Sequence, residues 1–163
     1  LLSADCFCAV AGNHPLAQSQ SISLRDLHDQ PMGTLHLQHL HQKRVEKRFD
    51  ALGIHHRHAV ECQTFQPLLQ FVMTGHVCVI VDPLTVLHAG AIGLPNEKIA
   101  FVPIADDLRY HYATFFPNSR PASRLSKQLV SEWLTYLDIE LITLQANPKS
   151  TDYPANTSLN IGS

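Results

Sequence analysis

Val77-Cys78-Val79-Ile80-Val81 is a run of five β-prone residues with no polar break. A strand of that kind must be covered on both faces, as in the parallel sheets of α/β proteins. Just before it, Phe65, Leu68, Leu69, Val72 and Met73 recur at spacings of three and four, which predicts a helix over 65–74. Pro67 falls in its first turn, where a missing N–H costs nothing, and Thr64 or Gln66 can cap it. Gly75 suits the left-handed residue that ends such a helix. The apolar-rich stretch Ala59–Cys62 supplies an earlier strand, so the segment reads as a strand–helix–strand unit.

That unit predicts where a ligand sits. Open α/β sheets bind small molecules beyond the carboxyl ends of their strands, here at Gln63 and Thr64 and at Val81 and Asp82. The free N–H groups opening the 65–74 helix favour a carboxylate or similar anion. Thr34 and His36, at the end of the strand expected over 32–37, are candidates by the same rule. His76 is a candidate because it adjoins Gly75 in the central unit. The structural alternatives are that Gln63 and Thr64 only cap the helix and that His76 is a partly buried structural histidine.

The remaining chain reads as short alternating elements. A strand is expected over 6–11, a turn over 12–17, and a helical turn over 24–28 capped by Ser23 with Asp26 at its positive end. Val45, Phe49 and Leu52 define one face of a helix over 39–52, with Gly53 just past its end. Its other face, Lys43, Arg44, Lys47 and Arg48, reads as solvated rather than as a nucleic-acid patch. A short helix over 83–88 and strands over 99–104 and 110–116 follow. Ser119 to Ser123 opens a last helix in which Leu125, Leu129, Trp133, Leu134 and Leu137 recur. The pattern weakens after Asp138, and the composition from Gln145 onward predicts a disordered tail, with 139–163 outside the folded part.

Composition excludes several function classes. The 163 residues suffice for one domain or two small lobes, and a formal net charge of −2 gives no overall drive toward DNA. No apolar run approaches the roughly 20 residues of a membrane span. The start, Leu1 to Asp5, has neither an initiator Met nor the basic region of a secretion signal, so the chain is expected to be a piece lacking its natural N-terminal part. Cys6, Cys8, Cys62 and Cys78 all lie in apolar, strand-like runs, which predicts reduced thiols and a cytoplasmic protein. No nucleophile elbow, phosphate-binding glycine loop, H-E-x-x-H or C-x-x-C is present, so no catalytic residues and no cofactor are expected. Eleven histidines are unusual. His36, His39 and His41, and His55, His56 and His58, could supply imidazole ligands, yet their convergence would need separate loops to meet, and no metal site is expected.

Three stretches together resemble the effector-binding region of LysR-type transcriptional regulators. Phe7-Cys8-Ala9-Val10, Asn13-His14-Pro15-Leu16-Ala17 and Ser23-Leu24-Arg25-Asp26-Leu27 are similar to the family's first strand, "HPLA" turn and "sl.dL" helix start. Leu69 to Pro83 is similar to its "l..lV..G.Gia.lP" segment, with His76 and Asp82 more polar or bulkier than the family pattern. The strand pair and the helix from Ser123 to Leu137 close the region in the same order. The resemblance implies an α/β fold like type 2 periplasmic binding proteins, with a doubly wound lobe over 10–104. A partial second lobe would comprise a returning segment over 105–138, with 1–9 as the crossing strand.

It also implies a small-molecule effector in the cleft between lobes and a homo-oligomer in the full-length protein. DNA would be bound only through a helix-turn-helix domain absent from this chain. The last helix would then expose apolar residues such as Leu129, Trp133 and Leu137. The segment 37–52 has no cysteine, which argues against the redox-pair sensing of peroxide-responsive members. The alternative function is a solute-binding protein of a transport system with the same fold.

Overall fold

The computed structural model describes residues 2–95, 97–119 and 121–147. Its centre is β2 (Phe7–Ala11), whose five residues are all buried. Alternate side chains enter opposite layers. Cys8 and Val10 join Leu24, Leu27, Val45 and Phe49 on one face, while Phe7 and Ala9 join Leu68, Val72 and Val86 on the other. This is the period-two consequence of a strand covered on both sides.

β2 pairs antiparallel with β5 (Val79–Val81) and with β6 (Ile99–Pro103). β3 (Pro31–Leu35) pairs parallel with β4 (Arg57–Cys62). Two backbone bonds, Gly33 N–H to Cys78 O at 2.9 Å and Cys78 N–H to Pro31 O at 2.8 Å, join the pieces in the order β4–β3–β5–β2–β6. Gly33 is required at that seam. A Cβ there would lie 2.9 Å from Val79 Cγ2 and 3.0 Å from Leu68 Cδ2.

One layer is formed by α1 (Leu40–Leu52) and two 3₁₀ turns, Pro15–Gln18 and Leu24–Leu27. Ser23 and Asp26 make a reciprocal capping box around the second turn, as their spacing predicts. Gly53, at φ 64°, ends α1 in the left-handed conformation. The other layer holds α2 (Phe65–Met73) and α3 (Pro83–Ala91), with Gly75 at φ 76° after α2.

β1 (Leu2–Asp5) and β7 (Arg109–Tyr112) form a separate antiparallel ribbon. Cys6 is the crossing point between ribbon and sheet, bonded to Leu108 and Ile104. Its burial pushes the thiol up to about 12, so it is an inert hydrophobe. All four cysteines are free. No helix among the described residues is long and apolar enough to cross a membrane.

Several expectations need correction. The 77–81 run is not a uniformly parallel strand. Only its start bridges β3 in parallel, whereas Val79–Val81 runs antiparallel to β2, and β3 separates β4 from β5. The residues before Cys6 form β1, which pairing with β7 imposes on a stretch with little signal of its own. The strand expected over 110–116 ends at Tyr112, and Phe115 is exposed. The last helix, α4, runs from Arg124 to Ala146, capped by Ser123, so 139–146 are folded. Leu137, Leu141 and Leu144 explain this extension, for all three are buried and Leu144 enters the cluster of Phe7 and Val86. The expected tail from 148 lies outside the described residues. Leu129 and Trp133 are exposed as expected, but Leu137 is not.

Candidate functional site

β3, β4 and the Val79–Val81 end of β5 place their carboxyl ends on one edge of the sheet, because the first two are parallel and Cys78 enters β5 parallel to β3. The first turns of α1, α2 and α3 follow those ends, at His39–Leu40, Thr64–Phe65 and Asp82–Pro83. The three helix starts are finished differently. Asp82 accepts from the N–H groups of Leu84 and Thr85 at 2.9 and 3.2 Å. Neither His39 nor Thr64 makes a side-chain cap bond, so the expected cap from Thr64 or Gln66 is not formed. The opening amides of α1 and α2 therefore keep unused donor capacity at the same edge.

Four of the five predicted residues belong to this edge. Thr34 is buried in β3, directly in register with Glu61 of β4. His36 follows β3, with Nε2 3.9 Å from the Glu61 carboxylate and Nδ1 accepting from Gln38 N–H at 3.2 Å. Gln63 and Thr64 follow β4 and are exposed. His76 is not brought to them. It lies between α2 and β5, at the amino end of the strand, exposed and paired with Thr74 Oγ1 at 2.7 Å. Strand direction is the reason, since a residue preceding a strand cannot share the edge of residues that follow its parallel neighbours.

The sequence reading missed an aromatic wall along this edge. His41 is buried in the first turn of α1, its Nε2 3.2 Å from Ile80 O. Its ring lies 5.2 Å from Tyr110 of the ribbon and 5.6 Å from Phe65 of α2, and Tyr110 lies 4.9 Å from Tyr112. Burial lowers the His41 pKa and so favours the neutral imidazole. The available signal was periodicity, because His41 is four residues before Val45 on the face that also carries Phe49.

Asp82 explains its own departure from the family pattern. It caps α3, accepts from Thr85 Oγ1 at 2.6 Å, and accepts from Tyr112 Oη at 2.8 Å. It thereby ties the ribbon to the sheet edge. Burial, with the Asp82 carboxylate beside it, raises the Tyr112 pKa and keeps that phenol a donor. Beside this tie a groove of 280 Å³ runs between α2 and α3, lined by Phe65, Gln66, Leu69, Leu84 and His88 among others. Thr34, His36, Gln63 and Thr64 do not line it.

A mixed sheet with an antiparallel crossing strand, a ribbon returning from it and convergent helix starts defines the class: a lobe of the type 2 periplasmic-binding-protein fold. The chain belongs to the LysR substrate binding domain family, whose pattern it matches over residues 1–137. No curated protein is a significant match to the sequence. Among solved structures, HinK, a LysR family transcriptional regulator from Pseudomonas aeruginosa, is 17% identical with a TM-score of 0.63, over 80% of this chain and 44% of that one. The Synechocystis PCC6803 CcmR regulatory domain in complex with 2-PG is 14% identical with a TM-score of 0.60, over 87% of this chain and 64% of that one. Full-length CbnR complexed with its target DNA is 24% identical with a TM-score of 0.52, over 66% of this chain and 35% of that one. This chain thus spans from about a third to under two thirds of those chains. The family membership favours the regulator over the transport reading.

Proposed function

We propose that this chain is the effector-sensing part of a LysR-type transcriptional regulator and that its effector is a small anion held in a cleft at the carboxyl edge of β3 and β4. The observation that carries the reading is the meeting of two helix starts without side-chain caps, at His39 and Thr64, on the edge that also bears Thr34, His36 and Gln63. Amide donors and the helix dipole favour negative charge there. The lobe that presents this edge, expected over 10–104, takes in Phe7–Ala9 as well, since these pair with β5 and β6, while the ribbon of β1 and β7 and the residues up to 138 belong to the opposing lobe. Binding changes the angle between lobes, and the geometry of attached DNA-binding domains in a homo-oligomer follows. The chain itself carries out no chemistry and works in the cytoplasm.

The test begins with a thermal-shift screen of small carboxylates and phosphates, 2-PG included. The best binder is then titrated calorimetrically into wild type and Thr64→Val. Loss of the hydroxyl weakens binding by roughly 1–3 kcal/mol, the cost of a partner left unsatisfied. Stability stays unchanged, since the Thr64 side chain makes no cap bond. Equal affinity in the two proteins would remove Thr64 from the site.

A further inference from the structure

One turn after Gln42 on α1, Glu46 meets the residues that lead into and begin β4 in a second polar cluster. His56 and His58 are two residues apart in an extended run and present the same face to Glu46 of α1. His56 Nε2 lies 3.5 Å from Glu46 Oε2, and His58 Nε2 lies 3.9 Å from Glu46 Oε1. One donor atom from each of the three residues falls within 4.8 Å of the others. The His56 side chain is only 7% exposed, and its Nε2 is buried without a hydrogen-bond partner. At 3.5 Å from the Glu46 carboxylate this nitrogen makes only a long ion-pair contact, short of the hydrogen bond that buried polar atoms almost always form.

We propose that Glu46, His56 and His58 bind a first-row divalent transition ion of the Zn²⁺ type. Two imidazoles and a carboxylate are a borderline nitrogen and oxygen donor set, suited to that class rather than to Ca²⁺ or Mg²⁺. A tetrahedral ion with bonds of about 2.0–2.1 Å holds its donors roughly 3.4 Å apart. The His56–Oε2 pair is already near that spacing; His58 faces the other carboxylate oxygen, and rotation of its half-exposed side chain closes the set, whose donors now lie within 4.8 Å of one another, onto one ion.

The surroundings hold the ligands in place. Gln42 Nε2 donates to Glu46 Oε1 at 2.6 Å, and Gln42 Oε1 accepts from Leu35 N–H at 3.1 Å. The His56 ring is fixed edge-on against Phe49 at 4.6 Å. Outer contacts of this kind orient metal ligands in known sites. Three protein donors leave one position of the ion open toward the exposed side of His58. The ion would brace α1 against β4, and Gln42 would connect it to the end of β3.

The test is calorimetric titration of Zn²⁺ alone into the chelator-stripped chain, with wild type compared with His58→Ala, Glu46→Gln and His56→Ala. The control is His88→Ala/His111→Ala, which removes two exposed histidines elsewhere. One equivalent binds wild type and control alike and raises the thermal midpoint, and affinity falls roughly tenfold or more in His58→Ala and Glu46→Gln. Co²⁺ in place of Zn²⁺ gives visible absorption bands that the same variants lose. His56→Ala opens a gap under Phe49 and can unfold; His58→Ala keeps the test decisive because its side chain is half exposed. Binding that persists in both His58→Ala and Glu46→Gln, or that disappears in the control, overturns the site.

Discussion

Tyr112→Phe tests whether one hydrogen bond holds the ribbon to the sheet edge. The phenol donates to Asp82 Oδ1 at 2.8 Å and accepts from Leu84 N–H at 3.2 Å. Removing it strands no donor, because Leu84 N–H keeps Asp82 Oδ1 at 2.9 Å, and Asp82 keeps Thr85 N–H and Oγ1. The loss is therefore one bond to a carboxylate, worth about 1.5–3 kcal/mol in general. The remaining donors and the partial exposure of the site bring it toward the lower end, roughly 1–2 kcal/mol. The ring is retained against Tyr110.

Asp82→Ala costs more, since it removes the α3 cap, worth about 0.5–2 kcal/mol, and also leaves Tyr112 O–H and Thr85 O–H without their acceptor. Urea unfolding followed by circular dichroism and by the single tryptophan, Trp133, gives both values. A double-mutant cycle then isolates the pair, with a coupling of about 1 kcal/mol expected. Tyr112→Phe within about 0.3 kcal/mol of wild type, or additive single changes, would show that the ribbon is held by packing and not by this bond.

Gly12→Ala unfolds the chain or lowers its stability by several kcal/mol, on the order of a severe backbone clash, because a Cβ there would sit 2.1 Å from the Glu97 carbonyl oxygen; a melting curve decides. Leu144→Ala costs about 2–5 kcal/mol despite lying near the end of α4, read from the urea midpoint. Acidification through the usual histidine range lowers stability in part through His41. Its folded pKa is lowered, so the unfolded chain binds more protons from about pH 6.5 downward and the loss continues until the folded pKa is passed. His41→Gln flattens that slope in a pH series of urea midpoints. Asp82, His39 and Arg44, the charged or titratable groups around it, are left in place.

The sequence made the central layers legible because they depend on local period. Phe65, Leu68, Leu69 and Val72 lie on one helix face in isolation and in the fold alike, and Ser23 with Asp26 closes its capping box within four residues. Partner identity was not legible in this way. An apolar run such as Val79–Val81 fits a parallel or an antiparallel neighbour equally, and the choice of β2 is made by a contact some 70 residues away. β1 and the extension of α4 fail for the same reason. Ser3 and Asp5 carry little strand propensity until β7 pairs with them, and in Leu141-Ile142-Thr143-Leu144 the sequence does not tell the buried leucines from the exposed Ile142 until the rest of the fold is in place.

The candidate site divides along the same line. Thr34, His36, Gln63 and Thr64 could be assigned to one sheet edge in advance because the strand-end rule needs only the order of elements. His76 was placed by adjacency to a glycine, which says nothing about which edge of the sheet it reaches. His41, Tyr110 and Tyr112 come from segments some 70 residues apart and become a wall only after the ribbon crosses back over the sheet edge. The histidines that do converge, His56 and His58, meet not another histidine cluster but Glu46, a residue that helix charge patterning would place in solvent. What brings it inward is Gln42, one turn earlier, whose amide is held by the backbone of Leu35. A polar side chain on the buried face of a helix thus sets the position of the next polar group along it, and the Gln42 amide links the end of β3 to Glu46 in the middle of α1.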